Sequence, residues 1–279
     1  MLSYEEPVIR PPAEAGSLIL QATIGCSHNR CAFCVTYRQK QFRPRSREDL
    51  FAQIDWAGDH MPEVRRVFLG DGDPLVLSTD RLHEILDRLH DRLPQLRRVT
   101  AYASAQNFQN KSVADLEGLA KAGLTQVYVG LESGCDEILE RIDKGVTHEQ
   151  TVELCEKPTA AGIKLSTMIV LGLGGPRLSE RHAVDSARLV DRIKPRFAST
   201  LSLMLPPGAR SYREAFGDPQ WRPLDPSETL TELRRFVSSV EGNGIIFRSN
   251  HVSNILALEG VFQKSKQRMI AQIDQTIGK

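Results

Sequence analysis

The 279-residue chain is 41% hydrophobic and 25% charged, which excludes a disordered or fibrous protein and leaves room for a sizeable core. Its 36 Lys and Arg residues nearly balance 35 Asp and Glu, so the field of the whole chain favours neither nucleic acid nor an anionic membrane, and neither is an expected partner. The start, MLSYEEPVIRPPAEAG, has two early acids and no apolar core, which reads against a secretory signal, and no window nears the roughly 18 apolar residues of a membrane span. A cytoplasmic setting is expected, and there clustered thiols point to metal or redox chemistry rather than to disulfides.

After an N-terminal extension over residues 1–16, the first apolar, β-branched run is SLILQATI (17–24), a predicted strand. A helix is expected over 47–59, then a strand at RVFLG (66–70) that ends in GDGDPLVL, then a helix over 79–92. RVTAYAS (98–104), a helix over 112–122, and QVYVGLE (126–132) follow, with one long helix over 135–161. KLSTMIVLG (164–172), a helix over 179–193 and ASTLSLML (198–205) complete six strand–helix units before LPPGARSYREAFGDPQWRP breaks the pattern. Beyond the break come a helix near 226–241, a seventh apolar run GIIFRSN (244–250) and a terminal helix from about Lys264.

Alternating strands and helices imply right-handed crossovers and a parallel sheet covered by helices. A full eight-unit barrel takes about 250 residues, and only six units precede the break. The expected architecture is α/β: an open partial (β/α)6 barrel over residues 17–205, with a short C-terminal α/β extension over 206–279 closing or covering it. A doubly wound sheet is the competing arrangement.

Three of the five cysteines, Cys26, Cys31 and Cys34, stand as C-x4-C-x2-C directly after the first strand, where parallel β/α folds carry functional loops. Three thiolates are one short of closing a tetrahedral zinc site or a fully cysteine-ligated cluster. A cubane held this way keeps one iron open to an exogenous ligand. With His28 as fourth ligand the same stretch would make a structural zinc site.

The stretch resembles the radical S-adenosylmethionine superfamily, whose members carry three close cysteines after the first strand of an open six-unit barrel and an aromatic residue before the last cysteine, here Phe33. Most of that superfamily has three residues between the first two cysteines, and this chain has four. The resemblance implies an oxygen-sensitive [4Fe-4S] cluster on Cys26, Cys31 and Cys34 whose open iron chelates S-adenosylmethionine. It also implies that Gly72, Asp73 and Pro74 match the loop receiving the methionyl ammonium, with Asp in place of Glu and Asp71 in place of the first Gly. VYVGLESGCDEILERIDKGVT looks like the corresponding segment of the subgroup related to oxygen-independent coproporphyrinogen oxidase and methylthiotransferases. There Glu132 and Ser133 would border the ribose and Lys144 would meet the methionyl carboxylate. The plainer reading has Ser133 and Asp136 capping the next helix and Lys144 solvated. IVLGLGGPRLSERHA resembles the glycine segment flanking the adenine, at Gly172.

The implied activity is reductive cleavage to a 5'-deoxyadenosyl radical that abstracts hydrogen from an unidentified small molecule. The alternatives are transfer of a 3-amino-3-carboxypropyl group and a non-catalytic iron-sulfur or zinc protein. Arg38, Lys40, Arg43, Arg45 and Arg47 read as a solvated loop, a docking face for a flavodoxin- or ferredoxin-type electron donor, or arginines turned onto an anionic substrate. Candidate substrate residues are Tyr102, Ser104 and Asn107 after the third strand, and Arg248, Asn250 and His251 after the seventh run, where Asn254 follows and a hydrogen-bonded structural turn is the alternative. Cys135, near the implied cofactor, reads as a small helix-start residue, with a reactive thiol as the alternative, and Cys155 as a buried helix thiol.

Overall fold

A computed structural model describes residues 1–205 and 210–278. Its contacts divide the chain into two compact units: residues 1–29, 34–129 and 156–165 form the first, and residues 30–33, 130–155 and 166–279 the second. Among the described residues eight strands make up a mostly parallel main sheet. The expected boundary at 205/206 abuts residues 206–209, outside the described residues.

In the first unit, β1 (Leu18–Gln21) pairs in parallel with β4 (Arg66–Gly70), β4 with β5 (Arg98–Ala103), and β5 with β6 (Leu124–Glu132). The run expected as one strand over 17–24 is interrupted. Its last residues form a separate two-residue strand, β2 (Thr23–Ile24), that pairs with β3 (Arg43–Pro44) and brackets the cysteine loop. Most strand residues are buried, as a sheet covered on both faces requires. α1 (Arg47–His60) and α2 (Thr79–Arg92) begin where Ser46 and Ser78 accept the amides of Asp49 and Arg81. α2 buries Leu82, Ile85, Leu86 and Leu89, one stripe of helical period. α3 (Val113–Lys121) starts in a reciprocal Ser112–Asp115 capping box.

In the second unit the expected long helix over 135–161 is two, α4 (Asp136–Arg141) and α5 (His148–Ala160). Asp143 and Gly145, both at positive φ, turn the chain between them. β7 (Lys164–Leu171) pairs in parallel with β8 (Phe197–Ser202), and β8 with β9 (Ile246–Ser249). β10 (Leu258–Val261), which has little strand propensity in its sequence, adds antiparallel to β9. α6 (Gly175–Ile193) starts four residues before the expected 179, because Pro176 sits in its first turn, where a missing N–H costs nothing. The break holds a further helix, α7 (Arg210–Phe216), and is followed by α8 (Pro226–Ser239) and α9 (Lys266–Ile277). Cys135, Ile138, Ile142, Leu173, Tyr212, Phe216 and Trp221 share a core cluster with Phe33 packed against it. No helix among the described residues is long and apolar enough to cross a membrane.

Candidate cluster and S-adenosylmethionine site

The cysteine loop, residues 25–42, has turns and bends but no helix or strand. Cys26, Cys31 and Cys34 are half-buried and in no disulfide, whereas Cys135 and Cys155 are buried. Burial pushes the Cys155 thiol up to about 12 and raises that of Cys135 as well. Chemistry with metal or solvent therefore falls to the loop thiols, and soft thiolates are the donors an iron-sulfur cluster takes. Among the described residues no three His, Cys, Asp or Glu side chains stand together as a ready metal site.

Cys26 and Cys34 belong to the first unit, where the second-strand loop lies directly against Cys26. A Cβ on Gly72 would stand 2.6 Å from the Cys26 Cβ and 2.8 Å from the Gly25 carbonyl, so only glycine allows this approach. Asp73 is fully buried, accepts the Ser27 amide at 2.9 Å and the Ser27 hydroxyl, and lies 3.4 Å from Asn107 Nδ2. Burial raises its carboxyl above the usual range, against the lowering effect of Ser27, Asn107 and His28. Asn107 and Ser104 form a capping box around a single turn of 3-10 helix (Ala105–Phe108), with the Asn107 Oδ1 2.7 Å from the Ser104 amide. Tyr102 packs edge-on against Phe68 at 5.0 Å and Tyr128 at 6.2 Å.

The basic run is not a solvated loop at Lys40. Its side chain is 6% exposed, and its ammonium meets the fully buried Asp71 at 2.6 Å and donates to the Glu5 and Pro7 carbonyls at 2.6 and 2.8 Å. The same Asp71 Oδ2 accepts the Gly25 amide at 3.1 Å, one residue before Cys26. In sequence Lys40 sits among four arginines, and a solvated loop is one of three readings open for that run. The signal that betrays it is Asp71, an acid inside an otherwise apolar strand end. The arginines are also engaged: Arg38 with the Cys34 carbonyl at 2.9 Å, Arg43 with Glu5, Arg45 with the Gln21 carbonyl at 3.0 Å, and Arg47 with Glu84 at 3.1 Å.

In the second unit, which holds Cys31 and Phe33, Lys144 is buried and pairs with Glu132 at 2.9 Å, so it is not a solvated helix-end lysine. Glu132 ends β6 at φ 65°, a left-handed conformation that costs a non-glycine residue about 1 kcal/mol or more. Ser133 does not cap α4 from outside but folds inward: its hydroxyl accepts the Cys135 amide at 3.0 Å and stands 2.8 Å from His182 Nδ1. Asp136 accepts the His148 amide and so caps α5. Gly172 (φ 88°) follows β7, and its amide donates to Glu232 at 2.7 Å. Ser202, with Leu203 and Leu205, lines a cavity of about 220 Å³ beside Gly172. His182 and Glu232, both buried, were missed by the sequence reading, because a lone acid or histidine on an amphipathic helix carries no local signal.

Of the second candidate substrate set, Arg248 lies over the Phe197 ring at 5.6 Å and Asn250 is exposed. His251 Nδ1 stands 2.8 Å from the Ser253 hydroxyl, and burial lowers its imidazole below the ordinary value. Asn254 bonds the Thr200 carbonyl and the Ser202 and Ser249 hydroxyls. His251, Ser253 and Asn254 serve one another and the neighbouring strands, whereas Arg248 and Asn250 do not join them.

A parallel α/β sheet with a three-thiol loop after its first strand and glycine-bearing turns after later strands defines a class of cofactor-dependent α/β enzymes. The Radical SAM superfamily model matches residues 20–190, and the chain belongs to that superfamily, whose members use a [4Fe-4S] cluster and S-adenosylmethionine. The chain is 28% identical over 167 residues to 4'-phospho-dehydrooxetanocin synthase of Priestia megaterium, covering 54% of this chain and 22% of that protein. It is 25% identical over 187 residues to the heme chaperone HemW of Bacillus subtilis (strain 168), covering 66% of this chain and 48% of HemW. Coproporphyrinogen III oxidase HemN of Escherichia coli, a radical SAM enzyme, has the same fold at a TM-score of 0.60 and 15% identity, over 80% of this chain and 51% of HemN. The chain thus spans from about a fifth to about half of the length of these relatives.

Proposed function

We propose that this protein is a radical S-adenosylmethionine enzyme acting on a small molecule, with residues 17–205 as its catalytic core and 206–279 as an extension. The observation that carries the reading is the loop of three half-buried thiols, with Gly72 packed against Cys26 and the buried Asp73 bonded to Ser27 beside it. When bound, the cluster and S-adenosylmethionine supply a 5'-deoxyadenosyl radical, with methionine as co-product, for hydrogen abstraction.

In this reading Cys26, Cys31 and Cys34 hold the cluster, and Phe33 packs beside it. Gly72 leaves room for the methionyl group and Asp73 accepts its ammonium. Burial raises the Asp73 carboxyl by disfavouring its charged form, so an ammonium arriving there supplies the positive charge that favours the carboxylate. Lys144 takes the methionyl carboxylate, exchanging Glu132 for it, and Glu132 and Ser133 are then left to the ribose. Gly172 borders the adenine. Tyr102, Ser104, Asn107, Arg248, Asn250 and His251 remain the substrate candidates, with Ser104 and Asn107 acting through Asp73. An acidic flavodoxin- or ferredoxin-type protein supplies the electron.

Anaerobic reconstitution of wild type and Cys34→Ala, dithionite reduction and mass spectrometry of the products test the proposal. Wild type alone should release 5'-deoxyadenosine. Methylthioadenosine would move the activity to 3-amino-3-carboxypropyl transfer, and a zinc-loaded protein without turnover would end the proposal.

A further inference from the structure

The glycine turn after β7 closes on its own Gly175 amide to Gly172 carbonyl bond at 3.2 Å and is further held by side chains from beyond residue 205. The Gly172 amide donates to Glu232 Oε1 at 2.7 Å. The next carbonyl, that of Leu173, accepts both the Tyr212 hydroxyl at 2.9 Å and the Trp221 indole at 3.0 Å. A Cβ on Gly175 would stand 2.9 Å from the Arg222 carbonyl and from the Trp221 ring, so the turn is seated on this segment without spare room. Tyr212, Trp221 and Glu232 are 1%, 5% and 1% exposed.

Glu232 is costly to keep. A buried carboxylate wants several donors, yet among the described residues Oε2 has no partner, and His182 Nε2, 3.7 Å from Oε1, makes its own bond to the Val170 carbonyl at 3.0 Å. His182 in turn meets Ser133. One buried chain of groups therefore runs from Gly172 through Glu232 and His182 to Ser133. The cavity of about 220 Å³ beside the turn is lined by Gly172, Ser202 and Leu203 on one side and by Pro223, Leu224 and Thr229 on the other. That is below the roughly 300 to 1,000 Å³ of a drug-sized ligand's pocket and suits a single ring system.

We propose that Tyr212, Trp221 and Glu232 form a clamp that fixes the 172–175 turn in its ligand-binding shape, with Glu232 a positioning residue for S-adenosylmethionine acting through Gly172. The inference rests on the cofactor reading above and assigns the C-terminal extension a part in cofactor affinity. Without the Glu232 acceptor, the buried Gly172 amide loses its partner, a defect of the order that shifts an equilibrium about tenfold. The turn escapes it by opening toward water, which spoils the pocket wall.

The test uses anaerobically reconstituted holoprotein: wild type, Glu232→Ala, Glu232→Gln and Tyr212→Phe. Iron content, the S-adenosylmethionine dissociation constant by equilibrium dialysis, and hydrogen exchange of the peptide covering residues 170–177 are read together. Glu232→Ala should weaken binding about tenfold and speed exchange in that peptide, at unchanged iron content, while Glu232→Gln, whose amide oxygen still accepts, should stay within about threefold of wild type. Tyr212→Phe, which leaves Trp221 on the Leu173 carbonyl, should cost about threefold and supports the clamp should Glu232→Ala fail to fold. Wild-type affinity in both Glu232→Ala and Tyr212→Phe, or equal losses in the Ala and Gln variants, would overturn the clamp while wild type still binds. A wild-type holoprotein that binds no S-adenosylmethionine would overturn the cofactor reading and the clamp's role with it, and that result is separately visible.

Discussion

Replacing Lys40 by Met keeps most of the side-chain volume and removes only the charge and its donors. In the folded protein Asp71 is fully buried and its Oδ1 has no partner, so Lys40 is the one cation within hydrogen-bond reach of its carboxylate among the described residues. Gly25 and Gln21 would remain as donors, at 3.1 and 3.3 Å. Breaking a buried ion pair on one side costs about 3–5 kcal/mol. For a protein of this size roughly 2–4 °C of melting temperature accompany each kcal/mol, so a fall of about 6–20 °C is expected. Differential scanning calorimetry of the cluster-free protein measures it. Asp71→Asn in the Lys40→Met background removes the uncompensated charge and should return at least half of the loss. A Lys40→Met variant melting within 2 °C of wild type, or a double variant no better than the single, would refute the claim that this lysine is an interior residue.

The loop thiols and the helix thiols should separate chemically. At pH 8 iodoacetamide should label Cys26, Cys31 and Cys34 of cluster-free protein, while Cys155, pushed up to about 12, and Cys135 should react only after unfolding, as peptide mass spectrometry will show. Because Cys155 keeps its proton in the fold beyond the ordinary value of 9.0, its contribution to stability is fully present below pH 9 and is lost as pH rises toward 12, which a series of melts across that window will follow. Gly72→Ala places a Cβ 2.6 Å from Cys26 Cβ, and overpacking of about 1–3 kcal/mol should displace Cys26, lowering bound iron per chain more than it lowers the melting temperature.

What was legible in the sequence was periodic or clustered. The parallel strands announced themselves as β-branched runs, and the thiols as three cysteines in nine positions. The split of the 135–161 helix was hidden because Asp143 and Gly145 interrupt an otherwise helical pattern by conformation, not by proline. β10 was hidden because a strand beside β9 needs only backbone partners, and LEGV has no alternation to betray it. The solvated readings of Lys144 and Lys40 fail for one reason: a lysine's depth is set by which acid the fold brings to it, and Glu132 and Asp71 lie 12 and 31 positions away in sequence.

The two units solve the same local problem in the same way. Gly25 (φ 73°) precedes the first cysteine and Gly172 (φ 88°) follows β7, and each turns the chain out of a strand in a left-handed conformation that leaves its amide pointing inward. A buried amide needs an acceptor. In both places a buried carboxylate from a distant segment provides one, Asp71 for Gly25 and Glu232 for Gly172, and in both the second carboxylate oxygen goes without a partner. The difference is in the compensating charge: Asp71 has the Lys40 ammonium at 2.6 Å, whereas among the described residues Glu232 has only an imidazole nitrogen 3.7 Å away. The first turn is therefore locked by an ion pair and the second by weaker means. The Gly25 turn should accordingly stay fixed whether or not the cluster is loaded, and the Gly172 turn should be the one whose hydrogen exchange slows when S-adenosylmethionine binds. Equal exchange changes in the two peptides would contradict the assignment of the ion pair as the stronger lock.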